Sequence, residues 1–257
     1  SILEEGPARL IEFQCEREYE FIGMVPNWLG SEWSQGPIEC GERGLTGIAN
    51  IRPNDWAGSW IIPIGGGWSN RHASSELWAD MNLHTILALT DNPGRDAEEI
   101  LSEWISKNNL PEESINLLKK SSELILRLRY LDVWRVIANQ RWMPSENWFR
   151  DDNFVPGACT KIANRVVQEG MSDLLRSERS LATAMARSHL IEAENLSTCE
   201  HSEFILSSYR WALQFAEWTE DMWNQLLDSA PLSRDECKAL LLRRFDENPL
   251  VPLSVMD

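Results

Sequence analysis

Positive charge is what this chain lacks most. Across 257 residues, 24 Lys and Arg stand against 40 Asp and Glu, a formal net charge of -16. Nucleic acids and anionic membrane surfaces are recognised by clustered cations, so neither is expected as a partner. The plainer reading is a solvated acidic surface that aids solubility, and an acidic substrate would need a local basic group to offset the general field. No apolar run is long enough to predict a membrane-spanning helix. The first residues carry neither the basic nor the apolar segment of a secretory signal. An initiator Met is also absent, which leaves a leader ahead of Ser1 open.

Metal-binding and nucleophile patterns are missing too. Cys15, Cys40, Cys159, Cys199 and Cys237 are odd in number and scattered, with no Cys-x-x-Cys pair and no zinc-like spacing to histidine. They read as free, mostly buried thiols in a reducing compartment, with disulfides as the alternative; the cytoplasm is therefore favoured. His72, His84, His189 and His201 show no i, i+4 pairing and read as surface or packing residues. No Gly-x-Ser-x-Gly elbow occurs. Gly65-Gly66-Gly67 lacks the Gly-Lys-Ser/Thr of a phosphate loop and reads as a flexible loop. No cofactor and no metal are expected.

What is present divides near residue 73. The first part, 1–72, is rich in Gly, Pro and Trp and holds the strand signals, at 10–16, 45–52 and, more weakly, 60–64. A loop-like stretch with Pro26, Gly30, Gly36, Pro37 and Gly41 separates the first two. From Ser74 the apolar period becomes helical. Ser74 or Ser75 caps a helix to about 89 carrying Leu77, Trp78, Met81, Ile86 and Leu87. Asp96 caps a second, with Ile100, Leu101, Trp104 and Ile105 on one face. A third is expected over 112–138, two long ones over 158–189 and 202–228, and a last over 233–245. The fold class is thus mostly α with a small β part, 73–257 forming a helical domain.

The stretch 11–19, Ile-Glu-Phe-Gln-Cys-Glu-Arg-Glu-Tyr, alternates apolar and polar side chains. Ile11, Phe13 and Cys15 fall on one strand face, and Glu12, Gln14, Glu16 and Glu18 on the other. Glu18 lies where the strand gives way to a loop, the place where barrel enzymes keep catalytic groups. The acidic face equally reads as the wetted side of an amphipathic strand. Tryptophan outnumbers phenylalanine, 13 to 7. Trp28, Trp33, Trp56, Trp60 and Trp68 crowd the loop-rich part, where a flat indole suits either the apolar face of a sugar ring or plain packing. Trp78, Trp104, Trp134, Trp211, Trp218 and Trp223 sit on helical patterns and read as core.

Stretch 11–19 resembles the Glu-Phe-Gln…Gln-Glu-Tyr segment of the α-glucuronidases of glycoside hydrolase family 67. Further blocks follow in the family's order. Gly47-Ile48-Ala49-Asn50-Ile51 is similar to its Gly-Val-Ser-Asn-Ile, and Asp55-Trp56 to its Asn-Trp. Ala79-Asp80-Met81-Asn82-Leu83-His84 is similar to its Ala-Gln-Ala-Asn-Leu-Tyr. Asn92-Pro93, Ala97-Glu98-Glu99-Ile100 and Glu103-Trp104 complete the run. Arg17 departs from the family's Gln, Glu20-Phe21 from its Leu-Gly, and 57–75 is longer than its loop, which points to a different sugar specificity.

The resemblance implies the last strands of a (β/α)8 barrel followed by a helical C-terminal domain, and an inverting two-carboxylate hydrolysis of xylan-derived oligosaccharides. It implies Glu18 as a base-side catalytic carboxylate, with Arg17, Tyr19, Asn50 and Trp56 as substrate-binding residues. The second base-side carboxylate and the general acid would fall before Ser1, so the chain alone is expected to be inactive. The implied partner is an oligosaccharide containing a uronic acid or a related sugar. Few barrel strands leave open edges, so cover by helices or a homodimer is expected. The alternatives are a non-catalytic helical carbohydrate-binding or oligomerisation module, and a helical interaction domain without sugar affinity.

Overall fold

A computed structural model describes residues 9–15, 24–36, 56–62, 76–139 and 156–247. The expected strand at 45–52 lies outside the described residues. The described chain is mostly helical, with two short strands, β1 (Arg9–Gln14) and β2 (Trp56–Ile62). The helices are α1 (Gly30–Gln35), α2 (Glu76–Asp91), α3 (Ala97–Lys107), α4 (Ser114–Lys119), α5 (Ser121–Arg129), α6 (Asp132–Ile137), α7 (Pro156–Gln168), α8 (Ser172–Glu194), α9 (Ser202–Ser229) and α10 (Arg234–Glu247). Two compact units result, Ser1–Ser122 with Ile191–Ser208 and Glu123–Leu190 with Tyr209–Asp257; α5, α8 and α9 have residues in both.

In the first unit β1 and β2 pair in parallel, with Glu12 opposite Trp60 and Gln14 opposite Ile62. The third strand starts earlier than its composition predicts, at Trp56 rather than 60. Arg9 faces Trp56 and Leu10 faces Gly58, so Ala57 drops out of register. Gly58, at φ 144°, takes up the irregularity. A glycine in that position weakens the strand signal in the sequence. The expected alternation holds where side chains are described: Phe13 and Cys15 are buried and Glu12 is exposed.

Phe13 and Cys15 join Ile86 and Leu89 of α2 and Ile100 of α3 in one apolar cluster, with Trp33, Ile61 and Leu83 packed against it. The stretch around Pro26 and Gly36 is not all loop, as its composition suggests, because it contains α1. That short helix is held by tertiary packing: Trp33 meets Phe13 edge-on, ring centroids 5.8 Å apart at 77°. Gly30 is required there, since a Cβ on it would overlap the ring of buried Trp28. On α2, Leu89 faces the core, whereas Leu87, expected inside, is exposed. Asp96 caps α3 as its position predicts, accepting from the Glu98 and Glu99 amides at 2.7 and 3.1 Å. Ile100, Leu101, Trp104 and Ile105 are all buried.

The single helix expected over 112–138 is three. Ser121 Oγ donates to the Leu118 carbonyl at 2.6 Å and accepts from the Trp28 amide at 2.8 Å, marking the break between α4 and α5. In the second unit, buried Arg179 of α8 divides α5 from α6. Its guanidinium donates to the Leu128 and Tyr130 carbonyls at 3.2 and 2.9 Å, taking acceptors a continuing helix would have used. The neighbouring Glu178 carboxylate accepts from the Asp132 and Val133 amides at 2.8 and 3.0 Å and so caps α6. No local spacing announces this, because the capping groups are far away in sequence.

The helix expected over 158–189 is also divided, at Gly170. Its φ of 69° ends α7, with the Gly170 amide bonded to the Val167 carbonyl at 3.0 Å and Met171 to Val166 at 2.9 Å. That is the paired-bond helix end for which glycine is favoured. Helices α8 and α9 run antiparallel within this unit: His189 stacks on Tyr209 at 6.1 Å, while Arg176 reaches Asn224 and Asp228 at 2.9 and 2.7 Å. A Cβ at position 170 meets no atom within 4 Å, so only backbone strain opposes one. Gly170→Ala should therefore lower the unfolding free energy by about 1 kcal/mol in a urea titration. An unchanged midpoint would contradict the assigned backbone.

Candidate functional site

Segment 16–23, with Arg17, Glu18 and Tyr19, lies outside the described residues, and so does Asn50. Trp56 opens β2, its backbone opposite Arg9, and its side chain is not among those described. What the structure defines is the frame on either side of that segment. Trp68 and His72 likewise fall outside the described residues.

The frame hangs on one carboxamide. Asn82, on the buried side of α2 and 2% exposed, donates through Nδ2 to the Cys15 carbonyl at 2.8 Å and to the Asn27 carbonyl at 2.6 Å. Its Oδ1 accepts from the Leu29 amide at 3.0 Å. One side chain thus fastens the end of β1 and the chain where it returns before α1. The return is secured again by Trp28, whose indole Nε1 donates to Thr85 Oγ1 at 3.3 Å. Thr85 in turn donates to the Met81 carbonyl at 2.8 Å. Every group here is buried, so each bond replaces water that the backbone would otherwise need.

Cys15 contributes its carbonyl and not its thiol, which burial pushes up to about 12. It is therefore no nucleophile near neutral pH. On the opposite face of the strands, Trp60 is 61% exposed and stands directly across from exposed Glu12. The remaining loop tryptophans divide differently from the expectation that left sugar contact open for them. Trp28 is 1% exposed and offers no ring face to a ligand, and half-buried Trp33 packs on the Phe13 cluster. Of the helical tryptophans, Trp78, Trp104, Trp134, Trp218 and Trp223 are buried as expected, and Trp211 is half-buried against Phe215.

The described histidines gather no ligand set. His84 on α2 is half-buried, and its Nε2 has no hydrogen-bond partner. Burial first, then the charge of Lys107, holds its imidazole below the ordinary value, with Asp80 and Glu103 opposing. Asp80 itself accepts from Trp104 Nε1 at 2.8 Å. His189 is buried, its Nδ1 donating to the Met185 carbonyl at 2.9 Å in the tautomer which that acceptor requires. No group of three His, Cys, Asp or Glu side chains arranged to hold a metal ion occurs among the described residues.

Comparison with protein-family models, with curated proteins and with solved structures found no match to this chain.

In the sequence Asn82 stood out only as part of the block Ala79-Asp80-Met81-Asn82-Leu83-His84, and nothing assigned it the role of fastening. Asn82→Ala would leave two carbonyls and one amide buried without partners. The expected loss is about 2–4 kcal/mol of unfolding free energy. Chemical denaturation followed by far-ultraviolet circular dichroism measures it, and a loss within about 0.5 kcal/mol of zero would refute the role.

Proposed function

We propose that this chain is the C-terminal part of a glycoside hydrolase resembling the family 67 α-glucuronidases, with Glu18 a base-side carboxylate. The observation that carries this reading is the parallel pairing of β1 and β2 beneath helices packed on the Phe13 face. Parallel strands need a crossover connection, and α1 lies between these two in sequence. Barrels of alternating strands and helices keep the helices on the outside, so the Phe13 face corresponds to the exterior and the Glu12–Trp60 face to the interior. The segment carrying Glu18 then leaves β1 at its C-terminal end, where such barrels place their chemistry. Asn82 supports the assignment, because a catalytic carboxylate benefits from a rigid attachment.

In an inverting hydrolysis the base carboxylate takes a proton from water as that water attacks the anomeric carbon, while an acid on the other side protonates the leaving oxygen. Glu18 supplies the first role in this reading. Arg17, its neighbour in sequence, is a cation of the kind that suits the carboxylate of a uronic acid, which the acidic surroundings would otherwise repel. Tyr19, Asn50 and Trp56 complete the sugar contacts. Glu18 is the carboxylate of the pair that the resemblance assigns within residues 1–257, and no residue here is assigned as the acid, so binding is expected from this chain and turnover is not.

The test uses the purified chain and an aldouronic oligosaccharide from xylan. Saturable quenching of Trp fluorescence is expected, weakened about tenfold by Glu18→Gln, with no uronic acid released. Release of uronic acid that Glu18→Gln abolishes would overturn the assignment of the acid. Binding indifferent to Glu18→Gln would favour a carbohydrate-binding module, and no binding at all would leave a helical interaction domain.

A further inference from the structure

Helix α8 buries one side and leaves the opposite side exposed. Leu175, Arg179, Ala182, Ala186 and His189 face inward and are buried. Opposite them run Leu174, Ser177, Leu181, Ala184, Ser188 and Ile191, every one exposed. Their spacing alternates between three and four residues, so they share one face along about 26 Å of helix. Leu174, Leu181 and Ile191 are 57%, 52% and 52% exposed. The other large apolar side chains exposed among the described residues stand singly, one each on β2, α2, α6 and α10. Single ones are ordinary, whereas a row of them marks a contact surface.

We propose that this stripe is the interface of a homodimer, in which α8 of one copy packs antiparallel on α8 of a second. Positions alternating by three and four are the pattern with which one helix receives another, so the occupant is helical. Its charge follows from what flanks the stripe. Between residues 176 and 192 each ionic side chain of α8 is already paired within the chain: Arg176 with Asp228 at 2.7 Å, Glu178 with Arg179 at 2.9 Å, Arg187 with Glu217 at 2.8 Å and Glu192 with Lys120 at 3.1 Å. This length of α8 keeps no ionic group to select a partner of opposite sign, so the occupant is itself uncharged over the same length. A second α8 meets that condition. At a net charge of -16 two copies repel over most of their surfaces. Along this stripe they can meet without setting carboxylate against carboxylate.

The antiparallel sense follows from side-chain size. A two-fold axis between Ala182 and Thr183 sets Leu174 against the other copy's Ile191, Ser177 against its Ser188, and Leu181 against its Ala184. The central layers then place large against small, the end layers are apolar, and the serine hydroxyls between them can bond to one another. A parallel pairing would stack Ala184 on Ala184 and each serine on itself, leaving gaps in half the layers. At the ends of the antiparallel pair, exposed Asp173 of one copy comes near exposed Glu194 of the other. Salt screens that repulsion and the general one, so it should tighten the dimer. The stripe and its rims cover on the order of 1,000 Å² in total, at the lower edge of specific interfaces, which places the dissociation constant in the micromolar range.

The experiment is sedimentation equilibrium of the whole chain over roughly 1–500 μM, at low and at high salt. The average mass is expected to rise from one chain to two across that range, with tighter association at high salt. Leu181→Glu should weaken the dimer about a hundredfold, and Ser188→Leu, which extends the apolar row, should tighten it about tenfold. Both positions are exposed, so in dilute solution, where every variant is a monomer, circular dichroism should show the parent's melting temperature. That control separates loss of association from loss of fold. A chain that stays monomeric throughout would overturn the proposal, whether another protein's helix or another segment of this chain then covers the stripe. A dimer that Leu181→Glu leaves intact would overturn it as well, and so would one that salt dissociates.

Discussion

The carboxamide of Asn82 is the constraint on which the first unit depends. A parallel pair of short strands has little stability of its own, and its ends must find partners for backbone groups that water no longer reaches. Asn82 meets three such groups at once, on Cys15, Asn27 and Leu29. An aliphatic side chain of similar size would fill the space and satisfy none of them. The apolar cluster of Phe13, Ile86, Leu89 and Ile100 supplies the attraction between strand and helices, but that attraction is nearly blind to orientation. Direction comes from the amide.

The second unit meets the same requirement with charge. Glu178 and Arg179 are adjacent on α8, their side chains only 9% and 2% exposed, and together they serve both sides of the turn between α5 and α6. Burying two ions is costly, and replacing such pairs with apolar residues is often tolerated. Here each charge also receives or donates bonds to the backbone, so an apolar pair would leave amides and carbonyls of the turn unserved. Burial lowers the Arg179 guanidinium from its usual value while Glu178 opposes the shift.

Legibility in the sequence followed the range of the interaction. Where the deciding contact was local, the reading succeeded: Asp96 caps α3 two and three residues ahead of the amides it serves, and its apolar face is buried in full. Where the contact came from afar, it failed. The breaks in the expected helix over 112–138 are fixed by Trp28, Glu178 and Arg179, and helical period carries no trace of them. Gly170 was legible in principle as a helix end, but the flanking apolar pattern continued through it and concealed the stop. For the candidate site, the sequence pointed to Glu18 through order of motifs. The attachment of its segment through Asn82 became evident only when β1, α1 and α2 were placed together.

The hydrogen bond from Asn82 to Cys15 spans 67 positions of sequence. During synthesis the end of β1 leaves the ribosome long before the residue that will hold it exists as polypeptide. At the usual pace of elongation that delay is roughly 3–13 s, far beyond the time a short chain needs to collapse. Until α2 has emerged, β1 therefore lacks the helix face that covers Phe13 and Cys15 in the finished fold. Its nascent state, more than its finished one, is where a chaperone would be needed.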